Sequence, residues 1–338
     1  MPEPEAERVL ADDLRTAWHR YVDLLAPLRP ALFAYCRRLT GNVWDAEDLA
    51  QDTLLRVFGQ WGVAEPQIRD LRSYLLRTAT NVWIDLRRRR ETEARAPLAD
   101  PAAMPSAAPA PDASSDVRDA GARLLQRLAP RERAALVLKE AFDMTLEEIA
   151  TLLATTTGAV KSALHRGRAS LREPEEAADA SACRRGAPSP ELLDRFIDHY
   201  SRRDVNGLVA LMLEGASAEN VGNSFHVGLD PVAGVPRFLE KVVHGHPEWP
   251  AEFLYESARL VRVEVEGEPV LLALVTRRGR EKLEVALRFD EEDGRIARIR
   301  AYGFCPETMR AIGELTGLPV RTGIYRAPTP APGARWPE

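Results

Sequence analysis

The segment from Leu146 to Arg172, LEEIATLLATTTGAVKSALHRGRASLR, admits few folds. It reads as two short helices joined by a tight polar turn. Thr145 can cap the first helix, and Glu148, three residues on, closes a capping box. Leu146, Ile149, Ala150 and Leu153 recur at helical spacing on one face. Thr155, Thr156, Thr157 and Gly158 interrupt that pattern with capping hydroxyls and a weak helix former. In the second helix Val160, Leu164 and Leu171 point inward, while Lys161, Ser162, His165, Arg166, Arg168 and Arg172 occupy the other face. No acidic residue lies between Thr155 and Leu171. A helix-turn-helix lays such a helix in the DNA major groove, where Ser and Arg reach base edges and Lys and Arg neutralise phosphate. A helical hairpin with a solvated basic face carries the same pattern.

The rest of the chain limits how that segment can be used. Its 338 residues leave room for two or three domains, and the net charge of −5 excludes a uniformly basic DNA-coating protein. Nucleic-acid contact must come from local basic faces. Cys36, Cys183 and Cys305 are odd in number and far apart, against a disulfide framework or a clustered metal site. His244 and His246 have no clear third ligand nearby, so neither zinc nor another cofactor is expected. No apolar run approaches membrane-spanning length, and the acidic N-terminus lacks signal-peptide form; a cytoplasmic location without membrane contact is expected.

Apolar positions at helical spacing run from Leu14 to Thr40 and stop at Gly41-Asn42. In DAEDLAQDTLLRVF, Asp45 to Phe58, the stripe Ala46, Leu49, Ala50, Thr53, Leu54, Val57 and Phe58 opposes Asp45, Asp48 and Asp52. The helix dipole accounts for the first two carboxylates but not for Asp52; the row, with Gln51, also suits a docking face for a basic partner. A longer helix follows, with Ile68, Leu71, Leu75, Thr78, Ala79, Val82 and Leu86 inward, and is expected to end in Arg87-Arg88-Arg89-Arg90. Arginines beside aromatic rings suit single-stranded nucleic acid. By spacing Tyr74 is core, while Trp83 stands equally as stacking platform or core.

From Glu91 to Arg118 the composition turns to Ala, Pro, Asp and Ser, which cannot bury a core. As a coil of about 28 residues this linker spans ~30 Å, and stretched as polyproline ~90 Å. The flanking helices could then hold DNA segments ~50 Å apart. After it, Leu124, Leu125 and Leu128 form a stripe, and Pro130 opens a helix with Ala134, Leu138 and Val137 inward. A second Glu/Ala/Pro-rich linker covers 174–189. Beyond Pro190, helices (Leu192 to Tyr200, then Leu208 to Leu213) give way to period two at Val261–Val265. A buried strand from Pro269 to Val275, an alternating strand around Leu283–Phe289 and a turn at Asp293-Gly294 follow. That order means an α+β domain.

Taken together, these motifs resemble the sigma-70 family of RNA polymerase sigma factors, in its extracytoplasmic-function group. DAEDLAQDTLLRVF resembles the region 2 segment that docks on core polymerase, which implies core-binding roles for Asp45, Asp48, Gln51 and Asp52. SYLLRTATNVWIDLRRRR resembles the segment that opens DNA, implying roles for Arg77, Asn81, Asp85, Arg87 and Arg88. LAPRERAALVLKEAFDMTLEEIATLLATTTGAVKSALHRGRASLRE resembles region 4, implying distal-element contacts by Thr157, Lys161, Ser162, His165, Arg166 and Arg168. Two departures stand out: Thr155-Thr156-Thr157 replaces a Gly-containing turn, and Trp83 replaces a small residue.

Residues 190–326, through ELLDRFIDHYSRRDVNGLVALM, resemble the SnoaL-like cone fold, some of whose members are enzymes and others binding modules. The resemblances imply a multidomain chain. Two all-α sigma domains, a region 2 bundle at 14–90 and a region 4 helix-turn-helix at 119–173, precede the α+β domain. A linker at 91–118 joins the first two, and a tail covers 327–338. The implied function is a non-enzymatic promoter-specificity subunit whose partners are core RNA polymerase and promoter DNA, regulated by its C-terminal domain. His226, Trp249 and Tyr255 are the candidate pocket for a small-molecule ligand. A one-component ligand-sensing regulator leaves the carboxylate row unexplained. An enzyme in the C-terminal domain would need a paired acid and base facing one pocket.

Overall fold

The computed structural model describes residues 16–61, 70–95, 128–171, 186–245 and 254–321. The chain divides into two compact units, one reaching to Asp179 and the other beginning at Ala180. The linkers, the tail, Leu124, Leu125, Ile68, Arg172, Cys183, His246 and Trp249 lie wholly or largely outside the described residues.

The first unit begins with α1 (residues 16–25) and α2 (Arg29–Thr40). Their single apolar pattern is split by a turn at 26–28 that contains Pro27, and Pro30 sits in the first turn of α2, where its missing N–H costs nothing. Gly41, at φ 90°, ends α2 and donates its amide to Arg37, as the Gly-Asn signal predicts. Helix α3 (Val43–Trp61) starts where the Asn42 side chain accepts the Asp45 amide at 2.7 Å. Ala46, Leu49, Ala50, Thr53, Leu54 and Val57 are buried, so the expected stripe is the core face. Helix α4 (Leu71–Arg95) runs past the four arginines. The sequence ETEAR that follows them favours helix, and Thr92 bonds back to the Arg88 carbonyl.

Helix α5 (Pro130–Glu140) has Pro at its first position. Helix α6 (Leu146–Leu152) carries the full Thr145–Glu148 capping box. The turn to α7 (Thr157–Ser170) places Ala154 at φ 49°. A non-glycine residue thus takes the left-handed position, and Gly158 lies inside the helix instead. Thr156 caps α7 by accepting the Ala159 amide at 3.1 Å.

The second unit opens with α8 (Pro190–Ser201), capped by Ser189, and α9 (Val205–Ala210), capped by Asp204. Met212 and Leu213, expected at the end of that short helix, begin β1 (Met212–Asn220). Strand β2 (Ser224–Val227) and helix α10 (Val235–His244) follow. Then come β3 (Ser257–Val265), β4 (Glu268–Arg277), β5 (Arg280–Glu292), β6 (Arg295–Ala301) and α11 (Pro306–Thr316). The sheet order is β2-β1-β6-β5-β4-β3, antiparallel except for β1 beside β6. Glu266-Gly267, Arg278-Gly279 and Asp293-Gly294 all have positive φ at both residues, the two-residue turn that matches strand twist. Leu193, Phe196, Phe238, Leu239, Leu271, Leu287 and Phe289 share one core, with Phe196 and Phe289 edge to face at 5.0 Å. This is the α+β domain that the sequence implies.

Candidate nucleic-acid interface

Four buried residues, Val160, Ala163, Leu164 and Gly167, fix how α7 is turned. Gly167 packs against Glu132 and Leu128, where a Cβ would make ordinary contacts at 3.7–3.8 Å. Lys161, Ser162 and His165 are consequently exposed, with Thr157 half-buried at the start of the same face. Lys161 and His165 form no ion pair among the described residues, while Ser162 bonds back to the Gly158 carbonyl at 3.0 Å. Arg166 and Arg168 differ. Their guanidinium groups lie 2.6 Å from Glu132 and Glu140 respectively, at opposite ends of α5. These acids clamp α7 across α5 and neutralise two of the cations that the sequence assigns to DNA.

In α3 the carboxylates face different surroundings. Asp52 is exposed and Asp48 half-buried. Asp45 accepts from the Asn42 amide group at 3.0 Å and lies 3.8 Å from Arg90. Gln51 is buried and turned inward, donating to Glu47 at 2.7 Å, while Arg29 closes a buried ion pair on the same Glu47 oxygen. The expected docking row therefore loses Gln51 to the core, because the network Arg29–Glu47–Gln51 needs it to satisfy a buried carboxylate.

Helix α4 is engaged with the second half of the same unit. Asn81 and Arg88 are exposed, and Asp85 lies 3.8 Å from Arg56. Arg77 instead donates to the Thr151 carbonyl of α6 at 2.9 Å. Trp83 is buried beneath Arg133 of α5, whose guanidinium carbon lies 5.3 Å from the ring centroid. Arg133 also donates to the Leu39 carbonyl of α2. Burial, and then the neighbouring Arg87, lowers the Arg133 pKa to about 10. Phe142 meets Tyr35 edge to face at 5.5 Å, flanked by Arg38 and Arg72 at 5.9 and 5.8 Å. In this arrangement Trp83 is no stacking platform: it is core between the two helical halves. Tyr74 is half-buried and bonds to Gln60.

The C-terminal candidates do not converge. His226, on edge strand β2, contacts the Ala233 carbonyl at 3.1 Å and the Phe238 ring at 5.9 Å. Tyr255 lies just before the opposite edge strand, beneath Arg277 at 5.6 Å and against Gly245. Phe238 and Gly245 are separated by roughly 10 Å of helix rise. Burial raises the Tyr255 pKa. Among the described residues no group of His, Cys, Asp and Glu could hold a metal ion, and no helix is long and apolar enough to cross a membrane.

No local sequence signal marks Glu132, Glu140, Arg133 or Phe142 for these contacts, since their partners lie 28 to 107 residues away.

A capped helix-turn-helix with an exposed basic face, following a helical bundle with its own arginine-rich helix, defines a DNA-binding transcription protein. Residues 24–93 match the family Sigma-70 region 2, and residues 121–171 match Sigma-70, region 4. The ECF RNA polymerase sigma factor SigG of Mycobacterium tuberculosis is 30% identical over 305 residues, covering 82% of this chain and 79% of its own. RNA polymerase sigma-E factor of Streptomyces avermitilis is 36% identical over 157 residues, covering 45% of this chain and 83% of its own. The crystal structure of the extracytoplasmic function sigma factor SigJ of Mycobacterium tuberculosis is 21% identical, with a TM-score of 0.31, covering 86% of this chain and 98% of that one. The chain belongs to the extracytoplasmic-function sigma factors of the sigma-70 family. It is an RNA polymerase specificity subunit for promoter DNA, and not an enzyme.

Proposed function

We propose that α7 reads the distal promoter element chiefly through Lys161, Ser162 and His165. Thr157 assists at the helix start, and Arg166 and Arg168 act on phosphate. The carrying observation is that the first three are exposed while both arginines are already ion-paired to α5. A base contact changes sequence preference; a phosphate contact weakens all sequences alike. Asp48 and Asp52 dock core polymerase, with Asp45 at the edge of that face. Asn81, Asp85, Arg87 and Arg88 act in strand opening, and Arg77 joins them once it leaves Thr151. The cytoplasm, where core polymerase works, is the site of action.

The contacts of Arg133, Phe142 and Arg77 support a second element of the reading. DNA segments ~50 Å apart cannot both be reached while α4 packs on α5 and α6, so the packed form is a resting state that opens on polymerase. The C-terminal domain biases that opening. A tether of this length gives an effective concentration of order millimolar.

Alanine variants of Lys161, Ser162 and His165, run in transcription with core polymerase on a randomised distal element, test the assignment. At least one is expected to shift the preferred sequence, while R168A lowers output on all sequences. Unchanged preference in all three overturns it.

A further inference from the structure

The hairpin joining β4 and β5 opposes cations where a hairpin gains from opposite charge. Arg277 faces Arg280 and Val275 faces Lys282 across the ladder, with Arg278 in the turn. Like charges directly opposite destabilise a strand pair. These residues, with Glu284 and Arg321, line a cleft of about 450 Å³ in the C-terminal domain. Five cations therefore surround one carboxylate.

That carboxylate does not neutralise the cleft. Glu284 is held by Arg277 through two bonds of 2.8 Å and by Arg321 at 3.4 Å. Arg277 is also fixed by the Leu254 carbonyl and the Tyr255 ring. The adjoining acids are engaged elsewhere: Glu281 in a two-pronged pair with Arg259, and Glu256 with the Gly279 amide. Arg278, Arg280 and Lys282 are exposed and form no ion pair among the described residues. Two guanidinium groups are thus locked in place and three further cations converge without a counter-charge.

We infer that this cleft binds a small, multiply charged phosphate-bearing anion. Val275 is its lone apolar lining residue, which disfavours an apolar ligand. Its concavity suits a compact anion that several cations can surround, whereas duplex DNA is met by an extended stripe. Guanidinium forks match phosphate oxygens in paired geometry. The site lies apart from His226 and is independent of whether the domain regulates transcription.

Inorganic tripolyphosphate titrated calorimetrically into the full chain tests this. Saturable one-to-one binding is expected, weakened at least tenfold in R278S/R280S. Both residues are exposed and unpartnered at a hairpin tip, so an unchanged thermal melt is expected for that variant. K161S/R88S, in the helical half, is expected to bind tripolyphosphate as the parent does. Absence of saturable binding, or equal binding by R278S/R280S, overturns the site. A second arm uses a 20-base-pair duplex lacking promoter sequence. Loss of duplex binding in R278S/R280S with tripolyphosphate binding unchanged would assign the patch to nucleic acid instead, and overturn the small-anion site.

Discussion

Arg133 is held over the Trp83 ring at 5.3 Å and donates to Leu39, so one side chain of α5 is enclosed by two helices of region 2. A cation–π contact of this kind contributes about 0.5–2 kcal/mol and a charged hydrogen bond about 1.5–3 kcal/mol. Against them stands the burial that lowers the Arg133 pKa. These two contacts together contribute a few kcal/mol to the packed form, a scale that differential binding of a partner can offset.

It follows that R133M combined with F142A opens the helical half. The ratio of packed to open forms falls by more than tenfold, about 1.4 kcal/mol or more. Small-angle scattering of the full chain should show a larger radius of gyration, and promoter DNA affinity should rise. A scattering profile matching the parent's would show that these contacts do not hold the halves together.

Glu47 is buried beneath Arg29 and Gln51, so the two partners carry stability rather than partner recognition. R29M removes the ion pair from a buried carboxylate and is expected to cost about 3–5 kcal/mol in urea unfolding. Q51A removes one bond to the same group and costs about 1–3 kcal/mol. R29M/E47L removes both charges and recovers most of the first loss. The core-binding affinity of folded Q51A should equal the parent's; a loss there with unchanged stability would return Gln51 to the docking face.

Glu132 holds Arg166 at 2.6 Å, and under the proposed function it competes with DNA phosphate for that cation. In E132Q that cation is released, and the pair itself is exposed enough on the arginine side to contribute only about 0–1 kcal/mol to stability. Duplex affinity should rise a few-fold for all sequences, and the slope of log affinity against log salt should steepen by about one unit. Anisotropy titrations at three salt concentrations decide it. An altered sequence preference without a steeper slope would make Arg166 a base reader.

Much of the helical half was legible because its signals are local. The Thr145–Glu148 box, Pro130 at a helix start, Gly41 at an end and the α3 stripe each depend on residues within about four positions. Asp293-Gly294 likewise announced its hairpin. What escaped depends on distant partners or on competing periods. Gln51 looks like a surface polar residue until Arg29 and Glu47 are beside it. Strand β1 was hidden because LVALMLEGAS reads as a helix continuing, and the turn at Leu211 breaks it. The α7 face was readable as basic, but its division into free and paired cations needed Glu132 and Glu140 from another helix.

Glu148 gives the helix-turn-helix a dependence on pH whose sign is fixed by its bonds. Its carboxylate accepts the Thr145 amide at 2.7 Å and the Thr145 hydroxyl at 3.0 Å. The backbone hydrogen bond first, and the hydroxyl second, hold its pKa below the ordinary 4.5. The unfolded chain therefore takes up a proton before the folded one does. The stabilisation is complete above the ordinary value and is lost as pH falls through the lowered one. Asp70, Asp204 and Asp230 are lowered in the same direction, so the acid limb of the whole protein does not report Glu148 alone. E148Q isolates it, because glutamine keeps the capping bond and removes the charge. At pH 7 the variant should melt below the parent, and the difference should shrink as pH falls below 4.5. A melting difference that stays constant from pH 7 to pH 3 would show that the charge on Glu148 adds nothing to the cap.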